Sequence, residues 1–183
     1  EPLISQYINE GIEKGKLFFY TNVDKVRYSK VVFITVGSNI VNGSGDLYKE
    51  RILDIFAKCV EDKVKFVILR STISVGFADI LNETYGSEMD IIYAPERTIE
   101  GNAIRELFNI PQIIACKNRN AKEISKEIFR DFKVRLLFTE NYQEAELAKL
   151  ICNTYRDYNF AFSNQISMLC KSLSLDLSRV DKL

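Results

Sequence analysis

Residues 65–72 read KFVILRST, an almost wholly apolar run that ends abruptly in a cation and two hydroxyls. Such a run lacks the in-out alternation of a half-solvated strand and marks one buried on both faces. The same form recurs upstream as KVVFITV (30–36), closed by Gly37, and downstream as MDIIY (89–93), QIIAC (112–116) and VRLLF (134–138). Helical spacing fills the intervals. Leu53, Phe56, Ala57 and Val60 follow Asp46 as a candidate cap, a short helix is predicted from Gly76 to Leu81, and another spans 120–132. A further helix precedes the first strand, with apolar residues at Leu3, Ile4, Tyr7, Ile8 and Ile12. Strand and helix alternate, which predicts an α/β fold with a doubly wound, mostly parallel sheet.

The pattern changes at Glu140. No strand signal follows, and helical spacing runs from Tyr142 to about Leu173, with Leu147, Ile151, Tyr158, Ala161, Phe162, Ile166 and Leu169 on one apolar face. Residues 175–183 read as the opening of another helix. A domain boundary is therefore predicted near Thr139, dividing 1–139 from the start of an all-helical domain at 140–183. So short a helical segment buries too little apolar surface to stand alone, so it is expected to pack on more chain or on a second copy.

The chain has 183 residues, 46% hydrophobic and 27% charged, with 25 basic and 25 acidic residues. The balance of charge argues against a nucleic-acid or membrane-surface binder. No apolar stretch is long enough to span a bilayer, and a cytoplasmic location is expected. There is no histidine, which removes Cys/His zinc sites and His-dependent nucleophile systems. Cys59, Cys116, Cys152 and Cys170 form no CxxC pair and are expected to be buried, reduced thiols.

In open α/β sheets ligands sit beyond the carboxyl ends of the strands. Three predicted strands end there in small polar groups: Gly37-Ser38-Asn39, Ser71-Thr72 and Ala94-Pro95-Glu96. The third continues as APERTIEG (94–101). If this loop turns helically, Glu96 and Glu100 share a face and can divide into a general base and an orienting group. The alternative is a solvated pair with Arg97 bound to one of them. On the long helix, Lys149, Asn153, Arg156, Phe160 and Asn164 fall on one stripe, with Glu146 and Asp157 at its edges. Two cations and two amides in line suit an anionic substrate or an oxyanion; an exposed or dimer-facing polar stripe fits the spacing equally well.

Taken together, these segments resemble the nucleotide-sugar (UDP-glucose/GDP-mannose) dehydrogenase family over essentially the whole chain. VVFITVGSN is similar to the family's strand ending in Val-Gly-Thr-Pro, and LRSTISVG to its Ser-Thr-Val-Pro-x-Gly. APERTIEG resembles its Pro-Glu-Arg-x-x-Glu-Gly, and AELAKLICNTYRDYNFAFSNQ its Ala-Glu-x-x-Lys-x-x-x-Asn helix. The resemblance implies a partial Rossmann-like NAD-binding domain lacking its first βαβ unit, followed by the start of a central dimerisation domain. It implies an enzyme that oxidises the C6 alcohol of a UDP-sugar to the uronic acid in two hydride transfers to NAD, for surface polysaccharide precursors.

By matching positions, Gly37, Ser38, Ser71, Thr72 and Glu96 are implied at the cofactor, with Thr72 also beside a catalytic water. Glu100 is implied as base in the hydrolytic step, and Lys149 and Asn153 as stabilisers of the oxyanion. Glu96, Arg97 and Arg156 join them in contacting substrate. Tyr155-Arg156 and APERTIEG together point to UDP-N-acetyl-mannosamine or a related UDP-N-acetyl sugar, and the helix from about Glu140 to a homodimer. The family's Gly-rich pyrophosphate turn is expected before Glu1 and its nucleophilic cysteine beyond Leu183, so these residues alone are expected not to turn substrate over. Asn164-Gln165 stands where the family has Asn-Glu. The competing reading is a non-catalytic fragment that serves as a dimerising module; a hydroxyacid-dehydrogenase-like protein is a third, which would lack APERTIEG.

Overall fold

The computed structural model describes residues 3–22, 26, 29–37 and 49–182. Five strands, β1 (Val31–Ile34), β2 (Phe66–Leu69), β3 (Asp90–Tyr93), β4 (Gln112–Cys116) and β5 (Leu136–Thr139), form one sheet in the order β1-β2-β3-β4-β5. β1, β2 and β3 run parallel, with Val32 beside Val67 and Val67 beside Ile91. β4 turns antiparallel to β3, and β5 runs parallel to β4. The sheet is thus mixed but mostly parallel, as the apolar runs predict.

The helices are α1 (Ile4–Glu13), α2 (Glu50–Glu61), α3 (Phe77–Tyr85), α4 (Ala103–Leu107), α5 (Arg119–Phe129), α6 (Tyr142–Ser172) and α7 (Leu177–Val180). Because side chains alternate across a strand, each inner strand feeds two cores. Val67, Leu69, Ile91 and Tyr93 join Ile52, Phe56, Phe77 and Leu81 of α2 and α3. Ile68 and Ile92 join Ala121, Ile124 and Phe129 of α5. Each such apolar side chain taken out of water contributes about 1.5–3 kcal/mol. α5 starts where it does because the Asn118 side chain caps it, accepting from the Ala121 amide at 2.8 Å.

β1 departs from the expectation of burial on both faces: Phe33 is 44% exposed, because β1 is an edge strand of the described sheet. The cysteines depart as well. Cys59, Cys116 and Cys170 are buried free thiols, whereas Cys152 is exposed on α6. Asp46, the candidate cap of α2, lies outside the described residues.

The chain divides into two compact units, Glu1–Leu147 and Ala148–Leu183. The first holds the sheet and also the opening turn of α6, whose Tyr142 and Ala145 belong to the α2/α3 core. The Tyr142 hydroxyl donates to the Ile91 carbonyl at 2.7 Å. The second unit is the remainder of α6 followed by α7, which Asp176 caps through the Ser178 amide at 2.9 Å. Ile151, Tyr158, Phe162 and Leu169, four members of the predicted apolar face, are 53–65% exposed.

Candidate active site

The carboxyl ends of β1, β2 and β3 are tied together by the residues that end them. The Arg70 amide donates to the Ile34 carbonyl at 2.9 Å, the Ala94 amide to Leu69 at 3.0 Å, and the Glu96 amide to Arg70 at 3.1 Å. The Ser71 hydroxyl donates to the Val36 carbonyl at 2.7 Å, joining the β1 and β2 exits by a side chain. Thr72 follows, half-buried. Gly37 ends the described part of the β1 exit and is exposed, with no atom of the described residues within 4 Å of where a Cβ would stand. Ser38 lies outside the described residues.

The β2 exit turns into α3 through Gly76, which has φ +88°. Glu146, just past the first turn of α6, is fully buried and binds this corner with both oxygens. The Gly76 amide donates to Oε2 at 2.6 Å and the Ala78 amide to Oε1 at 2.7 Å. Burial pushes the Glu146 carboxyl above its ordinary range; the two amides pull the other way and do not outweigh it.

APERTIEG does not turn helically. It leaves β3 without regular structure, and α4 begins only at Ala103. Glu96 and Glu100 therefore do not share a helical face. Glu96 accepts from the Arg97 and Thr98 amides through Oε1, at 2.7 and 2.8 Å, and its Oε2 pairs with the Arg70 guanidinium. Burial alone would raise the Glu96 carboxyl, but the charge and hydrogen bond of Arg70, with Thr98, hold it below its ordinary range. Arg97 turns away from both carboxylates and donates to the Pro111 carbonyl. Glu100 is exposed and precedes Gly101, whose φ is +87°.

In the second unit, Lys149 is 7% exposed, Asn153 and Arg156 are half-buried, and Phe160 and Asn164 are exposed. Arg156 donates through Nη2 to Asn153 Oδ1 at 2.8 Å. This leaves the Asn153 amide nitrogen as a donor on the same stripe as the Lys149 ammonium.

Ser71, Thr72, Glu96 and Arg97 are thus brought to neighbouring strand ends in one unit, and Lys149, Asn153 and Arg156 to one helix stripe in the other. Arg70, Gln112 and Glu146 were not predicted. A buried Arg or Glu carries no periodic signature, and their partners lie 26, 42 and 68 to 70 residues away.

A parallel-strand edge finished with glycine, hydroxyls and backbone groups is the architecture of a dinucleotide-binding domain. Residues 1–133 match the UDP-glucose/GDP-mannose dehydrogenase family, NAD binding domain, and residues 143–183 match the same family's central domain. The chain belongs to this family, and NAD is the cofactor its first domain serves.

Similar proteins include the UDP-N-acetyl-D-mannosamine dehydrogenase of Pyrococcus horikoshii, 28% identical over 97% of this chain and 44% of that protein. The UDP-glucose 6-dehydrogenase YwqF of Bacillus subtilis is also 28% identical, over 98% of this chain and 43% of its own length. The solved structure of the Pyrococcus horikoshii enzyme superposes with a TM-score of 0.85 at 25% identity, covering 98% of this chain and 45% of that one. That of GDP-mannose dehydrogenase from Pseudomonas aeruginosa does so at 0.84 and 23%, covering 100% and 45%, which shows the shared fold. The chain therefore spans less than half the length of these relatives.

Proposed function

We propose that the protein carrying this chain oxidises the C6 alcohol of a UDP-sugar to the uronic acid with NAD, and that UDP-N-acetyl-mannosamine or a related UDP-N-acetyl sugar is the substrate. NAD supplies the hydride acceptor. Gly37, Ser71 and Thr72 border the nicotinamide end of the cofactor, and the Thr72 hydroxyl also holds a water. Glu100, exposed at the turn before Gly101, serves as the base that removes a proton from that water as it attacks the thioester that the second hydride transfer leaves on the family's nucleophilic cysteine, whose thiolate departs. Lys149 and Asn153 stabilise negative charge developing on the sugar's carbonyl oxygen, and Arg156 orients Asn153 while facing substrate. With an N-acetyl-mannosamine dehydrogenase and a glucose dehydrogenase equally similar in sequence, the choice of sugar rests on the Tyr155-Arg156 and APERTIEG motifs. The product would serve surface polysaccharide assembly from the cytoplasm.

The observation that carries this reading is the alignment on α6 of Lys149, four residues before Asn153, whose Oδ1 accepts from Arg156 Nη2 at 2.8 Å; the Lys149 and Asn153 donors form a preorganised pair for an oxyanion. NADH formation measured on the gene-encoded protein with UDP-N-acetyl-mannosamine, UDP-glucose and GDP-mannose tests the proposal. Turnover with the UDP-sugars, lost by at least about 100-fold in Lys149→Ala, is expected from removal of an oxyanion donor. A folded protein that reduces NAD with none of the three would overturn it.

We further propose a homodimer through α6. It is supported by the exposed Ile151, Tyr158, Phe162 and Leu169, apolar side chains at helical spacing that are open to solvent. A monomer at micromolar concentration in light scattering would refute this.

A further inference from the structure

We infer that Arg70 is a positioning residue that holds the Pro95–Gly101 loop, and with it Glu100, through its ion pair with Glu96. The inference rests on the proposed role of Glu100 as the hydrolytic base. Arg70 directly follows Leu69, the last residue of β2, and is 8% exposed. An arginine so placed must find its acceptors inside the protein. Its guanidinium pairs with Glu96 Oε2, lies within 3.5 Å of Gln112 Oε1 through both Nη1 and Nη2, and sits 5.5 Å from the centre of the Phe129 ring. Gln112, on β4, is 4% exposed and donates to the Ile110 carbonyl at 3.3 Å. Three elements of the sheet domain thus hold one cation in place: β4 through Gln112, α5 through Phe129, and the β3 exit through Glu96.

The consequence falls on Glu96. One oxygen is spent on Arg70 and the other on the Arg97 and Thr98 amides of its own loop. Both of its oxygens thus take part in holding the loop, which gives this carboxylate a positioning task. The backbone repeats the tie, since the Glu96 amide donates to the Arg70 carbonyl at 3.1 Å. Beyond Thr98 a second carboxylate continues the same work: Glu106 accepts from the Ile99 amide at 2.7 Å. Glu100, after the exposed Ile99, is the first charged side chain of the segment to be exposed. The arrangement is a fixed loop with a single presented carboxylate. Arginine suits the anchor because its planar guanidinium addresses Glu96 and Gln112 together while lying against an aromatic ring.

Arg70→Met and the milder Arg70→Lys test this in the gene-encoded protein. Amide hydrogen exchange at Arg97 and Thr98 and the carbon-13 titration of the Glu96 carboxyl read the anchor without reference to activity. In Arg70→Met, exchange at both amides is expected to quicken at least about tenfold, the effect of losing ~1.4 kcal/mol, and the Glu96 titration to move up. In Arg70→Lys both changes are smaller. If Arg70→Met leaves exchange and titration as they were, the anchor is refuted. In turnover, the Met variant is expected to lose kcat with little change in KM for the UDP-sugar, and Lys to recover part of it. Freed amides with an unchanged kcat would refute the link from Arg70 to Glu100. Absence of turnover in the parent would strike the proposed activity instead, and the exchange and titration results would still decide whether Arg70 holds the loop.

Discussion

Replacing Glu146 by alanine is the sharpest test of how this sheet domain is held together. The carboxylate is fully buried and accepts the Gly76 and Ala78 amides at 2.6 and 2.7 Å. A buried amide stripped of its acceptor costs about 1–3 kcal/mol, so two cost about 2–6 kcal/mol. Removing a charge that burial disfavours returns part of this, which leaves a net loss of about 3 kcal/mol. For a chain of this size each kcal/mol moves the melting temperature by about 2–4 °C, so Glu146→Ala is expected to melt about 6–12 °C lower.

The pH dependence supplies a second signature. The folded carboxyl lies above its ordinary range, so the folded state binds this proton more readily than the unfolded state. Its favourable contribution is whole below the unfolded-state value and is lost as pH rises through the folded-state value. The stability gap between parent and variant should be widest in acid and narrow as pH rises through that window. Thermal melts followed by circular dichroism across a pH series measure both. A shift under about 2 °C, less than the effect of one kcal/mol, or a gap that widens with rising pH, would refute the reasoning.

Glu96 should behave in the opposite sense. Its folded carboxyl is held low, so its contribution is present above the unfolded-state value and lost as pH falls through the folded one. Urea denaturation of Glu96→Gln should show a flatter acid limb than the parent. Among the described residues Gly76→Ala meets no atom within 4 Å, so its cost is that of placing a side chain at φ +88°, about 1–2 kcal/mol of unfolding free energy measured by urea denaturation. Gly76→Asn should cost less. Tyr142→Phe removes the donor to the Ile91 carbonyl and should lower unfolding free energy by about 1 kcal/mol with an unchanged denaturant slope.

The strands were legible because their information is local. KFVIL, MDIIY and QIIAC are apolar at consecutive positions, and β2, β3 and β4 appear within a residue of those runs. An apolar run reads the same in either direction, however, so nothing in QIIAC announced that β4 opposes β3. Nor did KVVFITV show that Phe33 would face solvent, since that depends on β1 standing at an edge of the described sheet. The APERTIEG loop stays non-helical because Glu96, which a helical turn would set facing Glu100, is drawn to Arg70. That pull comes from the end of the neighbouring strand, and four-residue spacing cannot register it.

The candidate site divides the same way. The sequence by itself determined the doubly wound α/β class, the polar strand ends at Gly37, Ser71-Thr72 and Ala94-Pro95-Glu96, and the stripe that sets Lys149 with Asn153. All of these follow from order along the chain and from helix and strand periods. Only the tertiary structure decided which charges are buried and what satisfies them. Nothing in the sequence marks Arg70 or Glu146 as buried, and burial makes each depend on acceptors or donors brought from a distant segment. Desolvation is a property of what surrounds a residue, and those surroundings exist only once the chain has folded.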